Sequence, residues 1–154
     1  METINSTIYV DADACPVKEE IKEAGERFDT DVIMVSSYAH AGGDDGSCRW
    51  IMVDQHQEEA DMKIFQLAKK NDIVVTQDYG LASLLLPKGV IVLSFRGFIF
   101  SEQSMDDLLF RRYISSKERR EGKRTKGPKR LMADDRTAFR INLEKILSNK
   151  QDFC

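Results

Sequence analysis

The sequence predicts an α/β protein built on a central, mostly parallel sheet, and three observations carry that prediction. Short β-branched or aliphatic runs alternate with amphipathic helical patterns along the first hundred residues, as strand–helix–strand crossovers require. "DIVVTQD" (72–78) is a continuous apolar run rather than an alternating one, the mark of a strand covered on both faces. Finally, 154 residues with 42% apolar and 32% charged content fit one soluble domain with a substantial core.

The elements follow in order. "TIYVD" (7–11) is β-branched and aromatic and reads as the first strand. Pro16 suits a first helical position, Glu19 and Glu20 suit a first turn, and Val17, Ile21, Ala24 and Phe28 recur at helical spacing, so a helix is expected over about 16–28. "DVIMVSS" (31–37) is the second strand and "HAGGDDGSC" (40–48) a loop by composition. "RWIMVD" (49–54) is a third strand, followed by a helix over 58–70 with Ala60, Ile64, Leu67 and Ala68 on one face. After the 72–78 strand, "YGLASLLLP" (79–87) reads as a short helix ended by Pro87, and "GVIVLS" (89–94) as a fifth strand. From about residue 100 the pattern turns helical and basic. Residues 1–100 are therefore read as the α/β core and 101–154 as a helical extension packed on it, within one domain spanning 1–154. Phe139, Leu143, Ile146 and Leu147 form the apolar stripe of a last helix at about 135–148, with Asp134 and Asp135 at its start.

No apolar run approaches the ~18–20 residues that cross a membrane, and the first residues lack the pattern of a secretory signal, so the cytoplasm is the expected compartment. Cys15, Cys48 and Cys154 are odd in number and lack metal-type spacing, which argues against a disulfide framework and a zinc site. Cys15 has no arginine positioned to close a C-x5-R phosphate loop and is expected to be buried and structural. His40 and His56 have no patterned partners. The net charge of −3 conceals a division: residues 1–110 hold 9 Lys/Arg against 20 Asp/Glu, whereas "RRYISSKERREGKRTKGPKR" (111–130) holds 10 against 2. A basic arm on an acidic body points to phosphate-bearing partners if the body has a reason to meet them.

That reason lies in where the acids fall. Open α/β sheets bind ligands beyond the carboxyl ends of their strands. Asp11 and Asp13 lie at the C-terminal end of the first strand, Asp54 ends the third, Glu58 and Asp61 open the next helix, and Asp78 lies at the C-terminal end of the fourth strand. Singly, each is an ordinary loop or helix-start acid. Together they would repel, and a divalent cation with a taste for hard oxygen, Mg²⁺ or Mn²⁺, resolves that repulsion. Lys18 is the basic residue nearest in sequence that could share the task.

"VDADACPVK", "EEADMKI", "DIVVTQDYGLA" and "KGPKR" followed by "DDRTAF" occur in this order and together resemble the YaiI/YqxD family of bacterial proteins, from about residue 7 to residue 147. That family is similar to the PIN-like nuclease superfamily. The resemblance implies a three-layer α/β/α fold with acids around one or two divalent metals. It assigns Asp11 to the acid that ends the first strand, Asp61 to the acid on a central helix, and Thr76 and Asp78 to the Thr-x-Asp after the following strand. Asp13 and Glu58 compete for a fourth acidic position, and "DADACP" departs from the general PIN pattern.

The leading expectation is a metal-dependent phosphodiesterase acting on RNA, ahead of single-stranded DNA. Asp11, Asp61 and Asp78 would hold Mg²⁺ or Mn²⁺, with Asp13 or Glu58 as a further ligand and Asp13 alternatively as base. Thr76, Lys18, Arg119, Arg120, Lys123, Arg124, Lys129 and Arg130 would meet the substrate, the basic ones through phosphate. One alternative is a catalytically inactive protein that binds nucleic acid or a protein partner. Another is a phosphatase of the haloacid-dehalogenase type with Asp11 as nucleophile, which "YVDADAC" resembles although Cys15 and Pro16 depart from its turn. Self-association into a homo-oligomer is compatible with all three.

Overall fold

The computed structural model describes residues 6–13, 15–37, 48–54, 59–120 and 130–152. Strand β1 (Thr7–Asp11) occupies the centre of a five-stranded sheet. It is flanked by β2 (Asp31–Ser37) and β4 (Ile73–Val75), with β3 (Arg49–Val53) beyond β2 and β5 (Ile91–Leu93) beyond β4. The order is β3-β2-β1-β4-β5 and every neighbouring pair is parallel. Among the described residues, the α-helices that accompany the sheet are α1 (Lys18–Arg27), α2 (Glu59–Leu67), α3 (Tyr79–Leu85), α4 (Glu102–Arg120) and α5 (Ala133–Asp152).

The period-two alternation of β1 divides the core into two layers. Ile8 and Val10 face one cluster with Val17, Ile21 and Ala24 of the α1 region and Phe139, Leu143 and Leu147 of α5. Tyr9 faces the other, with Ile64 of α2, Leu81, Ala82 and Leu85 of α3, and Met105 of α4. The result is an α/β/α sandwich in which α5 covers the sheet beside α1; the stripe Phe139, Leu143 and Leu147 is fully buried or nearly so.

Several boundaries differ from the sequence reading, each for a local reason. α1 begins at Lys18 with Val17 as its cap, and Pro16 stays in the preceding turn, where its carbonyl accepts from the Arg136 guanidinium. β4 starts at Ile73 because Asp72 is a buried acceptor: its carboxylate takes the Thr7 N–H at 3.0 Å and the Lys69 N–H at 2.8 Å. Pro87 lies inside a one-turn 3-10 continuation of α3 (Leu86–Lys88) rather than ending the helix outright. α5 begins two residues earlier than expected, and Asp135 reaches back to the Met132 N–H at 2.8 Å, the reciprocal half of a capping box.

The turn after β5 is pressed onto α5. Gly97 has φ +88°, and a Cβ there would stand 2.9 Å from the backbone of Ala138 and Phe139, so glycine alone fits. The Gly97 carbonyl accepts from Asn142 Nδ2 at 2.7 Å, and Arg96 pairs with Asp135 at 2.7 Å.

Candidate active site

In this strand order the direction of winding changes between β1 and β4. The helix after β1 lies in one layer and the helix after β4 in the other, the arrangement for which open α/β sheets are expected to have a crevice beyond the carboxyl ends of the two strands. Asp11 is the last residue of β1, and the turn Thr76-Gln77-Asp78 follows β4 directly. Parallel pairing of Tyr9 with Val74 and Val10 with Val75 brings the two segments level.

The local hydrogen bonds fix this corner. Thr76, fully buried, donates its hydroxyl to Asp11 Oδ2 at 3.0 Å and accepts the Asp78 N–H at 3.0 Å. Asp78 Oδ1 caps α3 by accepting the Leu81 N–H at 3.1 Å. Asp13 leans to the other side of β1, where it accepts from Ser36 Oγ at 2.7 Å and the Ser37 N–H at 3.2 Å at the end of β2. Gln77 turns back and accepts the Phe95 N–H at 2.8 Å, tying this turn to the one after β5.

Electrostatics single out Asp11. Its carboxyl is raised from 3.8 to about 6, first by burial and then by the charges of Asp13 and Asp78, against the lowering effect of the Thr76 hydrogen bond. A partly buried acid at the carboxyl edge of a parallel sheet, raised by two more acids, is the kind of group that functional sites contain. Cys15, four residues on, is the opposite case: burial pushes its thiol up to about 12, so it is a packed side chain and not a nucleophile.

Of the residues singled out by sequence, Asp11, Asp13 and Asp78 come together here. Asp61 lies half-buried early in α2, and the two acids that raise Asp11 are Asp13 and Asp78 rather than Asp61. Among the described residues no group of three or more His, Cys, Asp or Glu stands ready-made to hold an ion; Asp11, Asp13 and Asp78 are each turned to hydroxyl or backbone donors. Thr76, expected among the substrate contacts, is fully buried, and its hydroxyl is shared between Asp11 and the Asp78 N–H. Lys18 holds its ammonium 5.8 Å from the centre of the Trp50 ring on β3. Arg119 and Arg120 end α4, but their side chains are outside those described. Glu58, Lys123, Arg124 and Lys129 lie outside the described residues, and Arg130 is exposed.

The structure adds residues that sequence reading overlooked. Ser36 and Ser37 hold Asp13, and the polar ending of the otherwise apolar "DVIMVSS" was the signal for them. Arg136 binds the Pro16 carbonyl and Glu20 Oε1 (3.2 Å), clamping the β1–α1 connection to α5. Through Arg96–Asp135 and Gln77–Phe95, the same end of α5 is linked to the turn that carries Asp78.

Comparisons with known proteins bear on the family of the chain. The chain is 51% identical over 144 residues to a UPF0178 protein of Bacillus cytotoxicus, covering 94% of each. It is 50% identical over 143 residues to a UPF0178 protein of Listeria monocytogenes, covering 93% of this chain and 98% of the relative. The crystal structure of a point mutant of Rae1 (YacP) from Bacillus subtilis aligns over 97% of this chain and 99% of that one, at 12% identity and a TM-score of 0.43, a likeness too loose to bear on function. Residues 9–149 match the family model described as "Uncharacterized BCR, YaiI/YqxD family", and the chain belongs to that family.

Proposed function

We propose that this protein is a metal-dependent phosphodiesterase that cleaves nucleic acid, RNA ahead of single-stranded DNA. The observation that carries the reading is Asp11: a carboxyl raised to about 6 by burial and by two neighbouring acids, at the switch point of a parallel sheet. The donor set fits Mg²⁺ or Mn²⁺, because it is all carboxylate oxygen and its mutual repulsion is what a hard dication relieves. Asp11 and Asp78 would hold the ion, with Asp13 beside them. When bound, such an ion supplies charge neutralisation at the phosphate and a water of lowered pKa.

The chain's own residues do the rest. Thr76 keeps Asp11 oriented toward the crevice while it fixes the Asp78 backbone. Asp13, steadied by Ser36 and Ser37, is the acceptor for the proton of an attacking water. Arg111, Lys117 and Arg130, all exposed, offer phosphate contacts that confer affinity and salt dependence without sequence choice.

The test is cleavage of a labelled single-stranded RNA with Mn²⁺, Mg²⁺ or EDTA. Wild type is expected to cut only with metal, and Asp11→Asn and Asp78→Asn to lose at least about a hundredfold in rate, on the order of 3 kcal/mol of transition-state stabilisation. An Asp11→Asn protein that cuts at the wild-type rate removes the metal site from the mechanism. A wild type that binds RNA and never cuts it leaves a binding protein.

A further inference from the structure

The second half of α4 shows its apolar residues to solvent. Phe110 is 63% exposed, Tyr113 57% and Ile114 37%, and Arg111 and Lys117 beside them are exposed as well. Positions 110, 113, 114 and 117 share one helix face. Met105 marks the face that α4 turns to the core, and at ~100° per residue the stripe lies about 80–180° round the helix from it. It therefore points away from the body, and none of the roles assigned above uses its apolar residues Phe110, Tyr113 and Ile114.

We propose that this stripe is a stacking platform for the bases of single-stranded RNA, with Phe110 and Tyr113 under bases and Arg111 and Lys117 on the adjoining phosphates. The inference rests on the nuclease reading and deepens it by naming the single strand as the form bound. Charge selects the partner. Residues 1–110 carry 20 acids against 9 bases and repel a polyanion, whereas 111–130 carry 10 bases against 2 acids, and the stripe sits where the sign changes. Chemistry selects the strand: aromatic rings between cations bind exposed base faces in a sequence-tolerant way, and a duplex hides those faces. Phe110 and Tyr113 are about 4.5 Å apart along the helix axis, within reach of neighbouring bases of one strand. A second copy of the chain suits the stripe less well, since two aromatics and an isoleucine expose roughly 300 Å², against about 800 Å² per partner in a stable interface.

The experiment measures binding of a fluorescein-labelled, mixed-sequence RNA of about 20 nucleotides by anisotropy, in EDTA and over a series of salt concentrations. The proteins are wild type, Phe110→Ala/Tyr113→Ala and Phe110→Leu/Tyr113→Leu, with the melting curve of each recorded. The alanine pair is expected to weaken binding at least about tenfold with the salt slope unchanged, and the leucine pair nearly as much, because stacking needs the ring. Binding to the matching RNA duplex is expected to be the same for all three proteins. If wild type binds and either pair binds equally well, the stacking platform is overturned while the nuclease reading stands. If wild type binds no RNA, both fall. If the pairs instead turn a sedimenting dimer into a monomer, the stripe is a contact between copies and the proposal is wrong.

Discussion

Asp11 and Thr76, 65 residues apart in the chain, meet at 3.0 Å across the gap between β1 and β4, and this one hydroxyl also receives the Asp78 N–H. Two acids from distant segments are thus referred to a single oxygen. Thr76→Val keeps the shape and removes that oxygen, leaving a partly buried N–H without its acceptor and Asp11 without its donor. A loss of about 1–3 kcal/mol in urea unfolding is expected, together with a further rise in the Asp11 carboxyl pKa. Thr76→Ser should restore both. A valine variant with wild-type stability and an unmoved Asp11 titration by NMR contradicts the positioning role.

Asp11 should cost the metal-free protein stability at neutral pH. Its carboxyl titrates near 3.8 when unfolded and near 6 when folded, so the native state binds the proton more tightly. The favourable contribution is present below about pH 4 and is lost as pH rises through 6, a difference on the order of 3 kcal/mol. Asp11→Asn is therefore expected to stabilise the protein at pH 7.5 in EDTA by up to that amount, and to change little near pH 3.5. Added Mn²⁺ should raise the melting temperature of wild type and not of the variant. Equal effects of the substitution at both pH values, read from urea titrations, count against burial of the charge.

Arg136 is expected to matter through what it holds. Removing it by Arg136→Ala leaves the Pro16 carbonyl and the Glu20 carboxylate without the guanidinium, and one Glu20 oxygen is already buried without a partner. A cost of about 1–3 kcal/mol is expected, moderated because the arginine itself is partly exposed. Glu20→Gln placed in the same chain should recover part of it. Hydrogen exchange at residues 11–17 should quicken in the single variant; unchanged exchange there would mean that the clamp does not reach the acids.

The strands were legible because short β-branched runs bounded by polar residues have few alternatives, and the acid positions were legible because parallel strands deliver their last residues to one edge. Asp11, Asp13 and Asp78 follow from that rule alone. What escaped was pairing at long range. Nothing in the local pattern of Thr76 says that its side chain faces inward to a carboxylate. Arg136 and Glu20 lie 116 positions apart, and only docking of α5 beside α1 makes them neighbours. Helix ends shifted where a tertiary bond outweighed local preference, as at Pro16 and Asp135.

The contact of Gly97 with α5, and that of Arg136 on α5 with the β1–α1 connection, also bear on the order of synthesis. The ribosome makes strands β1 to β5 and Asp11, Asp13 and Asp78 before it makes the segment that fastens the two flanking turns. A nascent chain can therefore pair its sheet while the acid-bearing turns are still unfastened, and the acid cluster would be set late, as a consequence of translation order. A chain stopped before residue 133 is expected to retain β structure by circular dichroism yet be cut by protease within 11–17 and 94–98, where the full chain resists. Equal resistance in the two would show that the turns are set without α5.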